Sequence, residues 1–353
     1  MPCAAELRVH TAADFAAVER DCAELLHAAE GQSFFLAPWW WRTMLSAGLP
    51  PGSAARFLIC ADGKTPLAVL PLVSHADGTL AGLSGPYTCL FQPLFADHLD
   101  VASLRCIGTA FARHCSTFPP IRLDAFDADA PWLAPFLAGA RAVGLHAARF
   151  DHFGNWYEPV GGIDWATYLR ARPGGLRETI RRKMRHAGET EFRLMTGGDA
   201  LEPAIAAYQE VYARSWKTAE PYPDFNAALM REAAGAGALR LGLLYVGAQI
   251  IAAQLWIVTN GTAAVLKLAH DEGYKPLSPG TVLSVHMIRH LLERERVHTL
   301  DFGRGDDAYK QLWTTRRRQR IGVILANPWR PTGAAILLRH HMGQWRRSWA
   351  VRP

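Results

Sequence analysis

Ala263-Ala264-Val265-Leu266-Lys267-Leu268-Ala269 is an apolar run of strand length, and it passes through His270-Asp271-Glu272-Gly273-Tyr274-Lys275-Pro276-Leu277 into Ser278-Pro279-Gly280-Thr281. Apolar positions then recur at helical spacing from Val282 to about Arg294. A second short segment, His298-Thr299-Leu300-Asp301-Phe302, breaks into Gly303-Arg304-Gly305-Asp306-Asp307-Ala308-Tyr309-Lys310. The order predicts strand, glycine-containing turn, helix, strand and polar loop. A helix that begins after Ser-Pro-Gly offers unpaired backbone N–H groups at the positive end of its dipole, which suits a phosphate. Serine and proline also serve as ordinary helix caps, so the turn by itself decides nothing.

The surroundings narrow the choice. A chain of 353 residues suits two domains, and half hydrophobic with a fifth charged is a globular composition. No apolar run is long enough to span a bilayer, and the N-terminus lacks a basic start followed by an apolar core. Six scattered cysteines (Cys3, Cys22, Cys60, Cys89, Cys106, Cys115), with no C-x-x-C pair, read as free thiols of a cytoplasmic protein. Residues 1–150 carry 10 Lys/Arg against 13 Asp/Glu, a net of −3, and the remainder 28 against 19, a net of +9. The basic residues gather at Arg170–Arg185, Arg316–Arg320 and Arg346-Arg347. Any one cluster is compatible with a solvated face; together they point to an anionic ligand such as CoA, a nucleotide-linked sugar or tRNA.

The chain reads as an internal duplication. Arg56–Cys60 with Leu67–Val73, and Leu241–Tyr245 with Ile250–Val258, are both apolar hairpins closed by a glycine-containing turn. Each half then has a helix leading to a Leu-Asp strand: Ala102–His114 before Ile121–Phe126, and Val282–Arg294 before His298–Phe302. The first half is expected to open with strand Glu6–His10 and one helix, Ala12–Ala29, capped by Thr11. A helix starting at Pro38-Trp39-Trp40-Trp41 follows, its indoles read as core packing, with a stacking platform as the other choice. Gly82–Asp97 reads as an irregular loop. The boundary falls near Asp151–Asn155. Beyond it come helices Asp164–Arg172, Gly175–Ala187, with a thin apolar stripe in a basic surface, and Ala200–Ser215. The last helix, Gly333 to about Val351, mixes Ile336, Leu337, Leu338, Trp345 and Trp349 with basic residues. It is read as packing across the second unit, with peripheral membrane association left open.

The element order and the segments Ser278-Pro279-Gly280-Thr281 and Leu300–Lys310 resemble the GNAT acyltransferase superfamily. The nearest branch is the CelD/BcsL type, which is similar to the FemAB aminoacyl transferases. The resemblance covers most of residues 156–325 and, more loosely, 1–155. It departs at the turn, where Ser278-Pro279-Gly280 replaces the usual Gln/Arg-x-x-Gly-x-Gly/Ala. It implies an α/β fold of two tandem GNAT-like units, each a mixed β-sheet flanked by helices: residues 1–155 as a degenerate acceptor-side unit and 156–353 as the unit for donor and catalysis. It also implies that the strands flanking the helix splay apart, with acetyl-CoA or another acyl-CoA in the gap. Transfer would be direct, to a small-molecule or glycan acceptor of envelope, polysaccharide or specialised metabolism.

Within that frame Ser278, Pro279, Gly280 and Thr281 would hold the donor phosphates, and the backbone of Leu268 and His270 the pantetheine arm. The resemblance gives Lys310 the role of neutralising the tetrahedral oxyanion; alone, the sequence reads it as a surface lysine at a helix start. Asp301, in an apolar strand, is either a partner for Arg304 or a general base, and Asp306 is the other candidate base. Tyr309 would donate to the leaving thiolate or simply pack. Trp216, Gln254, Lys267 and Arg304 are placed on the substrate side, Gln254 and Lys267 because a polar group in an apolar strand is expected to face a cleft. His340-His341 and His286 with His290 lack companion ligands, so no metal is expected. Nothing calls for DNA. Two other functions stay open: a FemAB-like transferase using aminoacyl-tRNA, gripped by Arg177–Arg185 and Arg316–Arg320, and a non-catalytic scaffold of an envelope complex.

Overall fold

A computed structural model describes residues 7–185 and 190–350, with side chains through 343. Expectations for Cys3, Glu6, Ala187 and Val351, and for the side chains of Trp345, Arg346, Arg347 and Trp349, lie outside the described residues. The chain forms two compact units, one of residues 1–45, 49–153 and 319–353 and the other of 46–48 and 154–318.

The first unit runs β1 (Leu7–Thr11), α1 (Phe15–Asp21), α2 (Ala23–Glu30), α3 (Pro38–Ala47), β2 (Ala54–Asp62), β3 (Thr65–Ser74), β4 (Leu80–Gly82), β5 (Leu94–Phe95), α4 (Val101–Cys115), β6 (Ile121–Asp127), α5 (Leu133–Ala142) and β7 (His146–Pro159). The expected helix 12–29 is two helices broken at Cys22. Its cap is Asp14, which accepts from the Ala17 amide at 2.8 Å, because Thr11 is still pairing as strand. β1, β2 and β3 form an antiparallel meander, with Gly63 at φ 57° in the β2–β3 turn, and β4 adds antiparallel to β3. β4 and β6 then pair in parallel over Leu80–Ala81 and Ile121–Arg122. The three consecutive indoles are buried, Trp41 stacking on Phe57 at 5.8 Å, so they are core and not a platform. α4 and α5 cross where Gly108 meets Phe136 and Gly139 meets Arg105. A Cβ at either glycine would stand 2.1 Å from a backbone oxygen of the other helix.

The second unit contains the end of β7 and then α6 (Trp165–Arg170), α7 (Gly174–Met184), β8 (Thr190–Met195), α8 (Leu201–Ala213), α9 (Phe225–Gly235), β9 (Leu239–Val246), β10 (Gln249–Thr259) and β11 (Thr262–His270). A 3₁₀ segment, Glu272–Leu277, leads to α10 (Pro279–Glu293), β12 (Thr299–Arg304) and the one-turn α11 (Lys310–Trp313). The sheet order is β7-β12-β11-β10-β9-β8. All these pairs are antiparallel except β11 with β12, which pair only over Thr262–Ala264 and Thr299–Asp301. Beyond Ala264, β11 has β10 alone as a partner, so the strands flanking α10 part company. α10 covers the sheet with Val282, Leu283, Met287, Ile288 and Leu291, in a core shared with Trp256, Leu300 and Trp313. Leu176 and Ile180, four residues apart, are the buried stripe of the otherwise basic α7.

The chain then leaves this unit. β13 (Arg316–Ala326) pairs antiparallel with β6 from Arg320 onward, and α12 (Pro331–Ala350) buries Leu337 against Ala148 and Ile324. The expected second domain, 156–353, therefore loses its last segment to the first unit, because β6 needs the partner that β13 supplies. Each unit is a mixed sheet flanked by helices. No described helix is long and apolar enough to cross a membrane.

Candidate active site

A cavity of about 350 Å³ lies between the half of β11 that has parted from β12 and the start of α10. Leu268 and His270 of β11, Lys275 of the 3₁₀ segment, and Ser278, Pro279, Gly280, Thr281 and Ser284 of the turn and helix line one part. Trp216, Leu176, Tyr309, Leu312 and Trp313 line the rest.

The turn is built for a close approach. Ser278 adopts a left-handed conformation (φ 53°, ψ 53°), which aims the chain into α10. The Thr281 and Val282 amides both donate to the Ser278 carbonyl, at 2.9 and 3.1 Å. Pro279 has no N–H. Among the described residues no acceptor faces the Gly280 amide, so it is the open donor of the first turn. A buried relay fixes this geometry. Trp256 Nε1 donates to Gln254 Oε1 at 2.7 Å, Gln254 Nε2 to Ser284 Oγ at 2.7 Å, and Ser284 Oγ to the Gly280 carbonyl at 2.8 Å. Gln254 is thus not a cleft residue, as expected from its strand, but the anchor behind the turn.

The loop after β12 is tied at both ends. Arg172, fully buried, donates to the Trp313 carbonyl at 2.7 Å and pairs with Glu158 at 2.5 Å. Glu158 also accepts from the amide and hydroxyl of Thr315, and Tyr168 donates to the Trp313 carbonyl at 2.6 Å. Lys310 is buried, with its ammonium on the carbonyls of Arg304 and Gly305 and 3.2 Å from Asp307. It does not line the cavity; its neighbour Tyr309 does. Burial, with Asp307 nearby, pushes the Tyr309 phenol up to about 12, so it keeps its proton at neutral pH, although two-fifths of the residue is exposed.

Both expected bases are already held. Asp301 accepts from Asn155 Nδ2 and the Gly303 amide, each at 2.7 Å, and pairs with Arg318 at 2.5 Å. Its partner is Arg318 and not Arg304, whose side chain is exposed past a bulge in β12. Asp306 bonds Arg317 at 2.7 Å and accepts from Trp156 Nε1 at 2.8 Å; the Arg317 hydrogen bond holds its carboxyl down at about 2. Such a group is a weak base near neutrality.

Beyond β11 a second polar cluster extends. Lys267, expected in the cleft, pairs with Glu220 at 2.5 Å, and Tyr212 donates to the same carboxylate oxygen. Lys217 is half-buried with its ammonium 5.4 Å from the Trp216 ring. Burial, then Lys267, lower its proton affinity. Trp216 packs on His270, ring centroids 4.3 Å apart. The structure therefore brings together Leu268, His270, Ser278–Thr281, Trp216 and Tyr309, and leaves Asp301, Asp306, Gln254, Lys267, Arg304 and Lys310 off the lining. Sequence reading missed Leu176, Lys275, Ser284, Leu312 and Trp313. A serine in an apolar helix, four residues after Gly280, was the readable signal for Ser284. Among the described residues no group of three or more His, Cys, Asp or Glu could hold a metal.

The family model for the acetyltransferase (GNAT) domain matches residues 174–311, a span that contains the turn and Tyr309 and most of the cavity. No curated protein matches the sequence. Several solved structures share the fold at low identity. FemX aligns with a TM-score of 0.59 and 10% identity over 89% of this chain and 96% of its own. A conserved protein of unknown function from Bacteroides thetaiotaomicron gives 0.52 and 12% over 87% and 91%. A tandem GNAT protein from the clavulanic acid biosynthesis pathway gives 0.51 and 13% over 90% and 98%.

Proposed function

We propose that the chain transfers an acyl group, acetyl or longer, from acyl-CoA to the amine or hydroxyl of an acceptor, by direct attack and without a covalent enzyme intermediate. The observation that supports this best is the lapse of β11–β12 pairing after Ala264 beside a helix start whose Gly280 amide has no acceptor among the described residues. The donor diphosphate would rest on Gly280 and the Ser278 and Thr281 hydroxyls, with the pantetheine arm along Leu268 and His270. The acceptor's nucleophile attacks the thioester carbonyl, the C–S bond breaks, Tyr309 gives its proton to the departing thiolate, and the proton lost by the nucleophile restores the phenol. Lys310, its ammonium already committed to the loop carbonyls, fixes the loop from which Tyr309 projects. The resemblance to the CelD/BcsL branch points to an acceptor of polysaccharide, envelope or specialised metabolism.

Calorimetry with acetyl-CoA and longer acyl-CoAs tests the donor. Gly280→Asp puts bulk and negative charge against the diphosphate and should weaken binding tenfold or more, about 1.4 kcal/mol. Unchanged affinity in a folded variant would move the site away from this turn. A second reading, aminoacyl-tRNA as donor, is favoured by the exposed Arg177, Arg181, Arg182 and Arg185 of α7 and its C-cap. It predicts charged-tRNA binding that falls with salt by roughly one log–log unit per phosphate neutralised. A flat response rejects it. A protein that binds neither donor would be a scaffold.

A further inference from the structure

Resting on the acyl-CoA reading above, we propose that His270 is a direct ligand of the donor's diphosphate which engages only after taking up a proton, so that donor binding and protonation of this one imidazole are coupled.

The ring's two nitrogens differ in their surroundings. Nε2 stands 3.2 Å from Glu272 Oε1. A carboxylate can only accept, so Nε2 carries the hydrogen, and the neutral ring then presents a bare lone pair at Nδ1. In this conformation that Nδ1 is closed to solvent, and it has no hydrogen-bond partner among the described residues. It looks at the space over the helix start: a Cβ placed on Gly280 would stand 3.5 Å from it. Gly280 also carries the amide left open in the first turn. Two unmatched polar groups thus lie close together there, one a donor and one an acceptor.

A diphosphate oxygen satisfies the amide and is repelled by the lone pair. The alternative neutral tautomer, hydrogen on Nδ1, would set Nε2 lone pair against Glu272 carboxylate. Only the imidazolium serves both sides at once, donating to Glu272 from Nε2 and to the phosphate from Nδ1. The charged groups around the ring are consistent with a proton that comes and goes. Glu272 and Asp271 favour the charged form, though Asp271 is shared with Arg214 of the α8 C-cap at 3.0 Å. Lys275 opposes it, and Lys217 lies against Trp216, which packs on the ring. From α10 the first turn brings only Ser278, Pro279, Gly280 and Thr281. Burial is the largest influence and keeps the imidazole below its ordinary value. A diphosphate in contact with Nδ1 reverses that balance. The sign follows: the bound form holds the proton more tightly, so affinity rises as pH falls and levels off once the unliganded ring is itself protonated.

Dephospho-CoA is the probe, because its diphosphate diester does not titrate between neutrality and mild acid. Calorimetry in buffers of different ionisation enthalpy should show uptake of up to one proton per site. Affinity should improve by up to about tenfold per pH unit through the responsive range. His270→Gln should still bind, with no uptake and a flat pH profile. Glu272→Gln, at an exposed position whose side-chain amide can donate to Nε2, frees the neutral Nδ1–H tautomer and should bind with reduced uptake. Binding by the parent protein without proton uptake, or uptake that survives in His270→Gln, overturns the proposal; the first result would make Nδ1 an acceptor for a ligand N–H or O–H. Failure of dephospho-CoA to bind the parent protein at all would instead sink the donor reading, and this inference with it.

Discussion

Tyr309 and Lys310 are adjacent in sequence and face different surroundings. Tyr309 reaches the cavity with a protonated phenol, and Lys310 turns inward to three oxygens of its own loop. Tyr309→Phe should lower kcat by at least about 10²-fold if the phenol is the acid for the leaving thiolate, with donor Kd and Tm unchanged. Normal turnover would remove it from the chemistry. Lys310→Met strands two carbonyls and a carboxylate near a buried site, so it should lower Tm together with kcat. A loss of kcat by 10²–10³ at unchanged Tm would restore the oxyanion role to Lys310. Sequence reading located this loop but could not orient its side chains. Asp301 shows why. An acid in an apolar strand must have a partner, and the nearest arginine in sequence is Arg304. The partner is Arg318, which only the returning β13 brings into reach.

At the level of elements, the hairpins, α8, α10 and the β11–turn–α10 order were legible because each rests on local periodicity and turn chemistry. The breaks at Cys22 and in β12 were not, since both depend on where neighbouring strands end. Gln254 illustrates the same limit: a polar residue in an apolar strand is satisfied either by a cleft or by another buried group, and here Ser284 on α10 satisfies it. The α4–α5 crossing was likewise invisible, because an isolated glycine within a helix does not announce its partner. With backbone oxygens 2.1 Å from the Cβ position, Gly139→Ala must push the helices apart. The expected cost is at the upper end of ~1–3 kcal/mol or beyond, read as a Tm several degrees lower. A melt matching the parent would mean that the crossing is looser than it stands here.

On the scale of the whole molecule, the first unit is discontinuous and the second is an uninterrupted insert, residues 154–318, apart from residues 46–48 at the end of α3. A chain stopped after Arg318 should keep a protease-resistant core in 154–318, while the first unit, lacking β13, is digested. Equal resistance of both would contradict the division. The arrangement bears on biosynthesis. The ribosome finishes β6 early and makes all of the second unit before β13 emerges to cover the β6 edge. At ~5–20 residues per second, that edge waits roughly 10–40 s with its backbone donors and acceptors unpaired. An open strand edge recruits other open edges. The nascent protein is therefore most vulnerable to self-association while residues 154–318 are being made, and slowed translation through that stretch should lower soluble yield more than the same delay before β6.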